Sequence, residues 1–313
     1  MITLDVATEV ADAGLSPWVR ATVPVGSRHS ALREELSWAV TSAPTDLEFA
    51  ASFARAQPQS GEPVEAYLNR SLEISRDLTV LVGPRYRGRD PHRPFVGIEA
   101  SSRVLRESDF EALRATLRPA FSAFDPTYIS FWSCVAARSW TGCDADLRDV
   151  VGRLTDLAEQ PLPDALGVRV AADLDFYPRY RQIHEQHVAL EAEHALHTRV
   201  EAQEDLADLM GQGLVFDVRV EGRWAGVLAA CRAVQRGLRG YTVVELLLDP
   251  HVRGRGYGRH LSSALAASVL ARADSSPVGE YLLGTIHVDN HRAYRSALAA
   301  GRRDVGGEVV VPL

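Results

Sequence analysis

Between Val243 and Arg259 the chain reads VVELLLDPHVRGRGYGR. A short apolar run meets Asp249-Pro250, and a segment rich in glycine and arginine then leads into the helix-like LSSALAASVLA. A strand that turns into a helix through such a loop exposes backbone N–H groups, and the helix start adds the positive end of its dipole. The natural ligand is a phosphate or pyrophosphate. Gly254, Gly256 and Gly258 allow left-handed backbone and let a ligand lie against the main chain. Arg253, Arg255 and Arg259 add permanent charge with fork geometry suited to phosphate oxygens. The loop lacks the Lys-Ser/Thr of a Walker loop, and its glycine spacing is not that of a dinucleotide fold. Taken alone, a solvated Gly-Arg turn reads the same way.

A second landmark lies downstream. Tyr281 to Val288 (YLLGTIHV) reads as a strand, and Asp289-Asn290 opens a helix, HRAYRSALAA, that ends at Gly301. Arg253-x-x-Gly256-x-Gly258 between strand and helix, followed by Asn290, Ala293 and Gly301, resembles the acyl-CoA signature of the GNAT superfamily of N-acyltransferases. The resemblance covers residues 168 to 313. It implies acetyl-CoA as co-substrate, with no metal. It also implies cofactor contacts from Leu246, Leu247 and Leu248 on the strand, from Arg253, Gly254, Arg255, Gly256, Tyr257, Gly258 and Arg259 in the loop, and from Asn290. In that superfamily the strand splays from its neighbour, and a carboxylate on it often takes the amine proton through water.

Glu245 is the carboxylate on that strand, and a charge inside VVELLLD needs a reason. Strand alternation puts the superfamily's usual base position nearer Thr242, so Glu245 serves only if the strand is irregular; otherwise it is a solvent-facing or ion-paired residue. His187 and His194 continue an apolar helical stripe that begins at Phe176, Tyr180 and Ile183, and they are further candidates for proton transfer. Partly buried structural histidines fit the same stripe. The pairs His184/His187 and His194/His197 suggest metal spacing, but no third cluster completes a ligand set. Many superfamily members carry a Tyr seven residues after the Asn as general acid. Here that position is Ala297, which leaves Tyr294, Ser296 or water. The usual Gly-Phe ending is Gly301-Arg302.

The elements that must position these groups are those of an α/β (α+β) protein with a mixed central sheet flanked by helices. Chain length, 313 residues, and a 46% hydrophobic composition support two domains with separate cores. We expect an N-terminal α/β domain over 1–150, either a degenerate GNAT-like copy or an unrelated fold, and a catalytic GNAT domain over 165–313. In the first, Ser30–Val40, Asp46–Ala56, Pro63–Ile74 and Asp109–Phe121 read as helices, and Leu78–Val82, Pro94–Val104 and Thr127–Ser133 as strands. RVLRESD, before the helix at Asp109, holds no glycine loop. A polar helix is expected in the join between Arg138 and Gly167. The arginine-rich segment Arg85 to Arg93 fits a solvated loop or an acidic ligand. In the second domain Gly167–Ala172, Leu214–Val220, Trp224–Val234 and Tyr241–Leu248 read as strands.

Net charge is −7 with ten histidines counted neutral, which argues against broad nucleic-acid binding. No apolar run reaches membrane length, and the acidic start lacks the basic region of a secretory signal. Cys134, Cys143 and Cys231 have unrelated spacings, so a cytoplasmic location with reduced thiols is expected. The chain has no lysine. The function expected is transfer of an acetyl group from acetyl-CoA to a primary amine of a small molecule, with a homodimer as one assembly option. A protein or peptide amine acyltransferase and a non-catalytic CoA-binding protein are the rivals.

Overall fold

The computed structural model of the protein describes residues 2–56, 61–190, 200–272 and 279–313. Two compact units emerge. The first comprises 1–147, 234–238 and 305–313, and the second 148–233 and 239–304. Both are α/β units built on mixed sheets flanked by helices.

The first unit begins with three helices, α1 (Leu4–Gly14), α2 (Pro17–Thr22) and α3 (Val25–Ser37). Thr3 caps α1, and Ser16 caps α2, where Pro17 supplies a preset φ at the first helical position. After α4 (Leu47–Ala56) come β1 (Arg70–Ser75), β2 (Leu78–Tyr86) and β3 (Pro94–Ser101), then α5 (Phe110–Ala120) and β4 (Tyr128–Ser133). The strands β1, β2 and β3 pair antiparallel, β4 joins β3 in parallel across α5, and β12 (Arg303–Pro312) pairs antiparallel with β4. Phe110, Leu113 and Leu117 recur at helical spacing on α5 and pack on Val80, Val96 and Ile129, and on Val309 and Val311 from β12.

The second unit repeats this order of connections. Its strands are β6 (Leu166–Val170), β7 (Val215–Val220), β8 (Arg223–Gln235), β9 (Leu238–Leu248), β10 (Tyr281–Leu283) and β11 (Thr285–His287). The strand β9 passes through α9 (Leu261–Leu270) to β10, which lies parallel to it. Antiparallel to β10 runs β5 (Asp144–Arg153), whose residues 148–153 open this unit. One face of the sheet packs on α9 and α6 (Leu154–Ala158). The other packs on α7 (Tyr177–Leu190) and α8 (Gln203–Gly211). The last helix, α10 (His291–Ala299), follows β11.

Three sequence expectations differ from these elements. Pro63–Ile74 is a 3-10 turn at Val64–Tyr67 followed by β1, because RSLEIS pairs with β2 across a tight turn. The polar helix expected after Arg138 is mostly β5. Its charges are satisfied by partners far along the chain, Arg148 by Asp304 and Asp149 by Thr285, which local periodicity does not reveal. The segment Arg85 to Arg93 leaves β2 after Tyr86 and forms the loop to β3 through a 3-10 turn at Arg87–Arg89, but its first arginines are ion-paired and not solvated, Arg85 on Glu99 at 2.7 Å and Arg87 on Asp146. Among the described residues no helix is long and apolar enough to cross a membrane.

Gly240, at φ 159°, turns its missing side chain toward β10. A methyl group built on Gly240 would lie 1.9 Å from the Tyr281 carbonyl oxygen. Gly240→Ala should therefore destabilise the protein by about 1–3 kcal/mol in urea unfolding. Gly167→Ala, where the same methyl meets nothing within 4 Å, should stay within about 0.5 kcal/mol of the parent.

Candidate functional site

Parallel pairing of β9 and β10 runs from Gly240↔Tyr281 to Thr242↔Leu283. Beyond that point the two strands part. Gly284 gives its carbonyl to the Val150 N–H at 2.8 Å, and β11 pairs with β5 instead of β9. A cleft of about 1220 Å³ opens in the fork. Val243 to Leu248 form one wall and Gly284 to His287 the other. The glycine loop closes one end, and His184, Glu201 and the N-terminal half of α10 border the rest. Strand backbone facing this space offers unpaired amide groups to an extended ligand.

The loop behaves as its glycines suggest, with one difference. Gly254 and Gly256 take left-handed φ of 78° and 85°. Gly258 does not; its lack of a side chain makes room for Ser296, whose Oγ would lie 3.3 Å from an added Cβ. The loop enters α9 through a 3-10 turn, Tyr257–His260. The first N–H groups of such a helix have no partner within it and face the loop. Arg253 and Arg259 line the cleft, and Arg253 Nε donates to the Leu248 carbonyl at 2.8 Å. Arg255 is exposed and is not on the cleft wall. Asp249, only 2% exposed, anchors the loop base. It accepts Arg179 Nε from α7 at 2.8 Å and His251 Nδ1 at 2.6 Å. Burial alone would raise this carboxyl, but the Arg179 and His251 hydrogen bonds outweigh it and bring it down to about 2.

Glu245 reaches the cleft because the side-chain alternation of β9 slips by one residue. Tyr241 and Val243 pack with the α9 face and Val244 with the α7 face. Leu246 and Leu248 are then back on the α9 face, and Leu247 on the α7 face. Val244 and Glu245 thus point the same way, as at a β-bulge. Glu245 Oε1 takes the Leu246 N–H at 2.9 Å. Its Oε2 accepts the Tyr180 hydroxyl at 2.9 Å and meets His184 Nε2 at 3.1 Å. Tyr180 in turn accepts the Glu201 N–H at 2.9 Å. Burial, then the Glu245 carboxylate, push the Tyr180 phenol far above its ordinary value, so it remains a donor. A half-buried carboxylate held by a tyrosine and a histidine, and open to a cleft, can accept a proton.

The structure places the other candidates as follows. His187 lies on α7, its side chain outside what is described, and His194 lies outside the described residues. His184, four residues after Tyr180 on the same helix, is the histidine brought to Glu245. The i, i+4 pair Tyr180/His184 was the signal for it. Tyr294 is directed away from the cleft. Its hydroxyl donates to Asp304 at 2.7 Å, and Arg148 also holds that carboxylate. Asn290 lines the cleft and caps α10, its Oδ1 accepting Ala293 N–H at 3.1 Å. Ser296 and Ala297 are on the wall. So is Arg302, only 4% exposed, which stands where the superfamily's usual ending has Phe. Among the described residues no three His, Cys, Asp or Glu side chains converge as a metal site requires.

No family model matches the chain, and no curated protein does. Solved structures do. A GNAT-family acetyltransferase from Colwellia psychrerythraea is 7% identical over 100% of this chain and 98% of its own, with a TM-score of 0.50. GCN5-related N-acetyltransferases from Kribbella flavida and Sphaerobacter thermophilus are 13% and 11% identical, each over 86% of this chain and over 96% and 93% of their own, with TM-scores of 0.44 and 0.43. At 7% identity the likeness to the Colwellia psychrerythraea structure is one of fold alone.

Asp249 gives a pH test of the loop anchor. Its folded carboxyl is depressed from 3.8 to about 2, so the stability it contributes is complete above pH 4 or so and is lost as pH falls toward 2. Asp249→Asn should cost about 1–3 kcal/mol at neutral pH. Urea midpoints measured from pH 6 down to 2 should fall less steeply in the variant; parallel curves would deny Asp249 this role.

Proposed function

We propose that this chain, whose fold is that of the GNAT acetyltransferases, is an N-acyltransferase that takes its acyl group from an acyl-CoA, acetyl-CoA in the simplest case, and gives it to a primary amine of a small molecule. The observation that carries the reading is the forked cleft, with a phosphate-suited glycine loop at one end and the Glu245–His184–Tyr180 cluster on its wall. The residues fit the ligand. Left-handed Gly254 and Gly256 with Arg253 and Arg259 suit the pyrophosphate. The unpaired edge of β9 suits the pantetheine amides.

Bound there, an acyl-CoA would supply a carbonyl activated as a thioester. The protein's part is to hold the amine against it and remove a proton. The amine nitrogen bonds to the carbonyl carbon, the carbon–sulphur bond breaks, and its electron pair leaves on sulphur. Glu245, directly or through His184, takes the amine proton. Tyr180 and the Leu246 N–H fix the carboxylate for this task. The departing thiolate draws its proton from water, directly or relayed through the Ser296 hydroxyl, since Tyr294 is committed to Asp304.

The same commitment of Tyr294 favours one rival, a CoA-binding protein without catalysis. The first unit supports a further reading as a degenerate copy of the fold. It shares the order antiparallel strands, crossover helix, parallel strand, and final antiparallel strand, but it has no glycine loop before α5.

Thiol release measured with an amine panel tests the proposal. Glu245→Gln should lower the turnover by about a hundredfold or more while CoA affinity holds within about twofold. Gly256→Ala should act oppositely and weaken CoA binding, because alanine resists a φ of 85° by about 1–2 kcal/mol. If CoA binds and no amine accelerates thiol release, the non-catalytic reading replaces this one.

A further inference from the structure

Arg302 is a buried cation without a counter-ion. It is only 4% exposed, and Nη2 donates to the Val150 carbonyl at 2.7 Å. Its Nε has no hydrogen-bond partner. Among the described residues no carboxylate pairs with it. Burial alone lowers its pKa, to about 10, and no acidic neighbour opposes that shift. An unpaired buried guanidinium is costly unless an anion reaches it. The Asp304 carboxylate, nearby in sequence, is taken by Arg148 and Tyr294.

The guanidinium lines the cleft at its fork. A methyl group built on Gly284 would lie 2.4 Å from Nη2, so glycine at this position makes room for Arg302. Gly284 is the first residue past the last β9–β10 pair, at the end opposite the glycine loop. A ligand held by its phosphates in that loop and lying along β9 therefore directs its far end toward Arg302. If the cleft holds an acyl-CoA, as proposed above, that far end is the acyl group.

We infer that the acyl donor carries a carboxylate of its own, a dicarboxylic mono-thioester of CoA, and that Arg302 selects it by pairing with that carboxylate at the fork. The bonds made and broken in transfer are unchanged, because the remote carboxylate is a spectator that neutralises Arg302 and sets chain length.

Calorimetric titration of the full chain with CoA, acetyl-CoA, malonyl-CoA and succinyl-CoA tests this without turnover. At least one dicarboxylic thioester should bind about tenfold or more tighter than acetyl-CoA. Arg302→Met should erase that difference and leave CoA affinity intact, and Arg302→Lys should retain part of it. Equal binding of all acyl-CoAs to the parent protein overturns the inference while leaving the acyl-CoA reading standing; it would then assign Arg302 to an anionic acceptor. Failure of CoA itself to bind removes the acyl-CoA reading and the inference together. Should the Met variant not fold, the comparison within the parent protein still decides.

Discussion

The site rests on the loss of backbone pairing after Thr242 and Leu283. Strand backbone in a sheet interior must find partners, and a fork leaves two rows of amides facing each other too far apart to bond. One row is satisfied sideways, Gly284 by Val150 and β11 by β5. The other remains on the cleft wall. Everything functional is arranged around that opening. Gly240 allows the close approach just before it, Gly284 leaves space for Arg302 at it, and the glycine loop stands at its far end.

The two charged groups on the cleft wall are handled differently, and the contrast is informative. Glu245 is 13% exposed and has three donors or potential donors on its two oxygens. Such a carboxylate is stable while it waits for a proton. Arg302 is buried more deeply, at 4% exposed, and has one backbone acceptor. A charge left short of partners in the native state is a cost that a ligand can relieve, and binding energy is then tied to a specific chemical feature of that ligand. Catalytic and selecting groups in one cleft thus follow from the same accounting of desolvation against partners.

The two units share a strand arrangement, but the antiparallel strand beside the parallel pair opens the second unit's own segment and reaches the first unit from the far end of the chain. The segment 148–153 of β5 belongs to the second unit, and 305–313 of β12 to the first. Val309 and Val311 accordingly sit in the core of the first unit although they are at the end of the sequence. Only the second unit has a glycine loop between its parallel strands.

The sequence by itself determined the loop, the strand–loop–helix order around it and the Asn290 helix, because each depends on neighbours within a few residues: glycines at left-handed φ, a cap, a periodic stripe. It also flagged Glu245, a charge in an apolar run, though not which way it pointed. Tertiary structure alone decided that direction, since the slip at Val244–Glu245 depends on which face each neighbour packs against. It also chose His184 at Glu245, turned Tyr294 toward Asp304 and left Arg302 unpaired at the fork. It made β5 a strand where local periodicity suggested a helix. Apart from Tyr294 and Asp304, ten residues apart, these outcomes hang on partners dozens or more residues away, which no short window of sequence contains together.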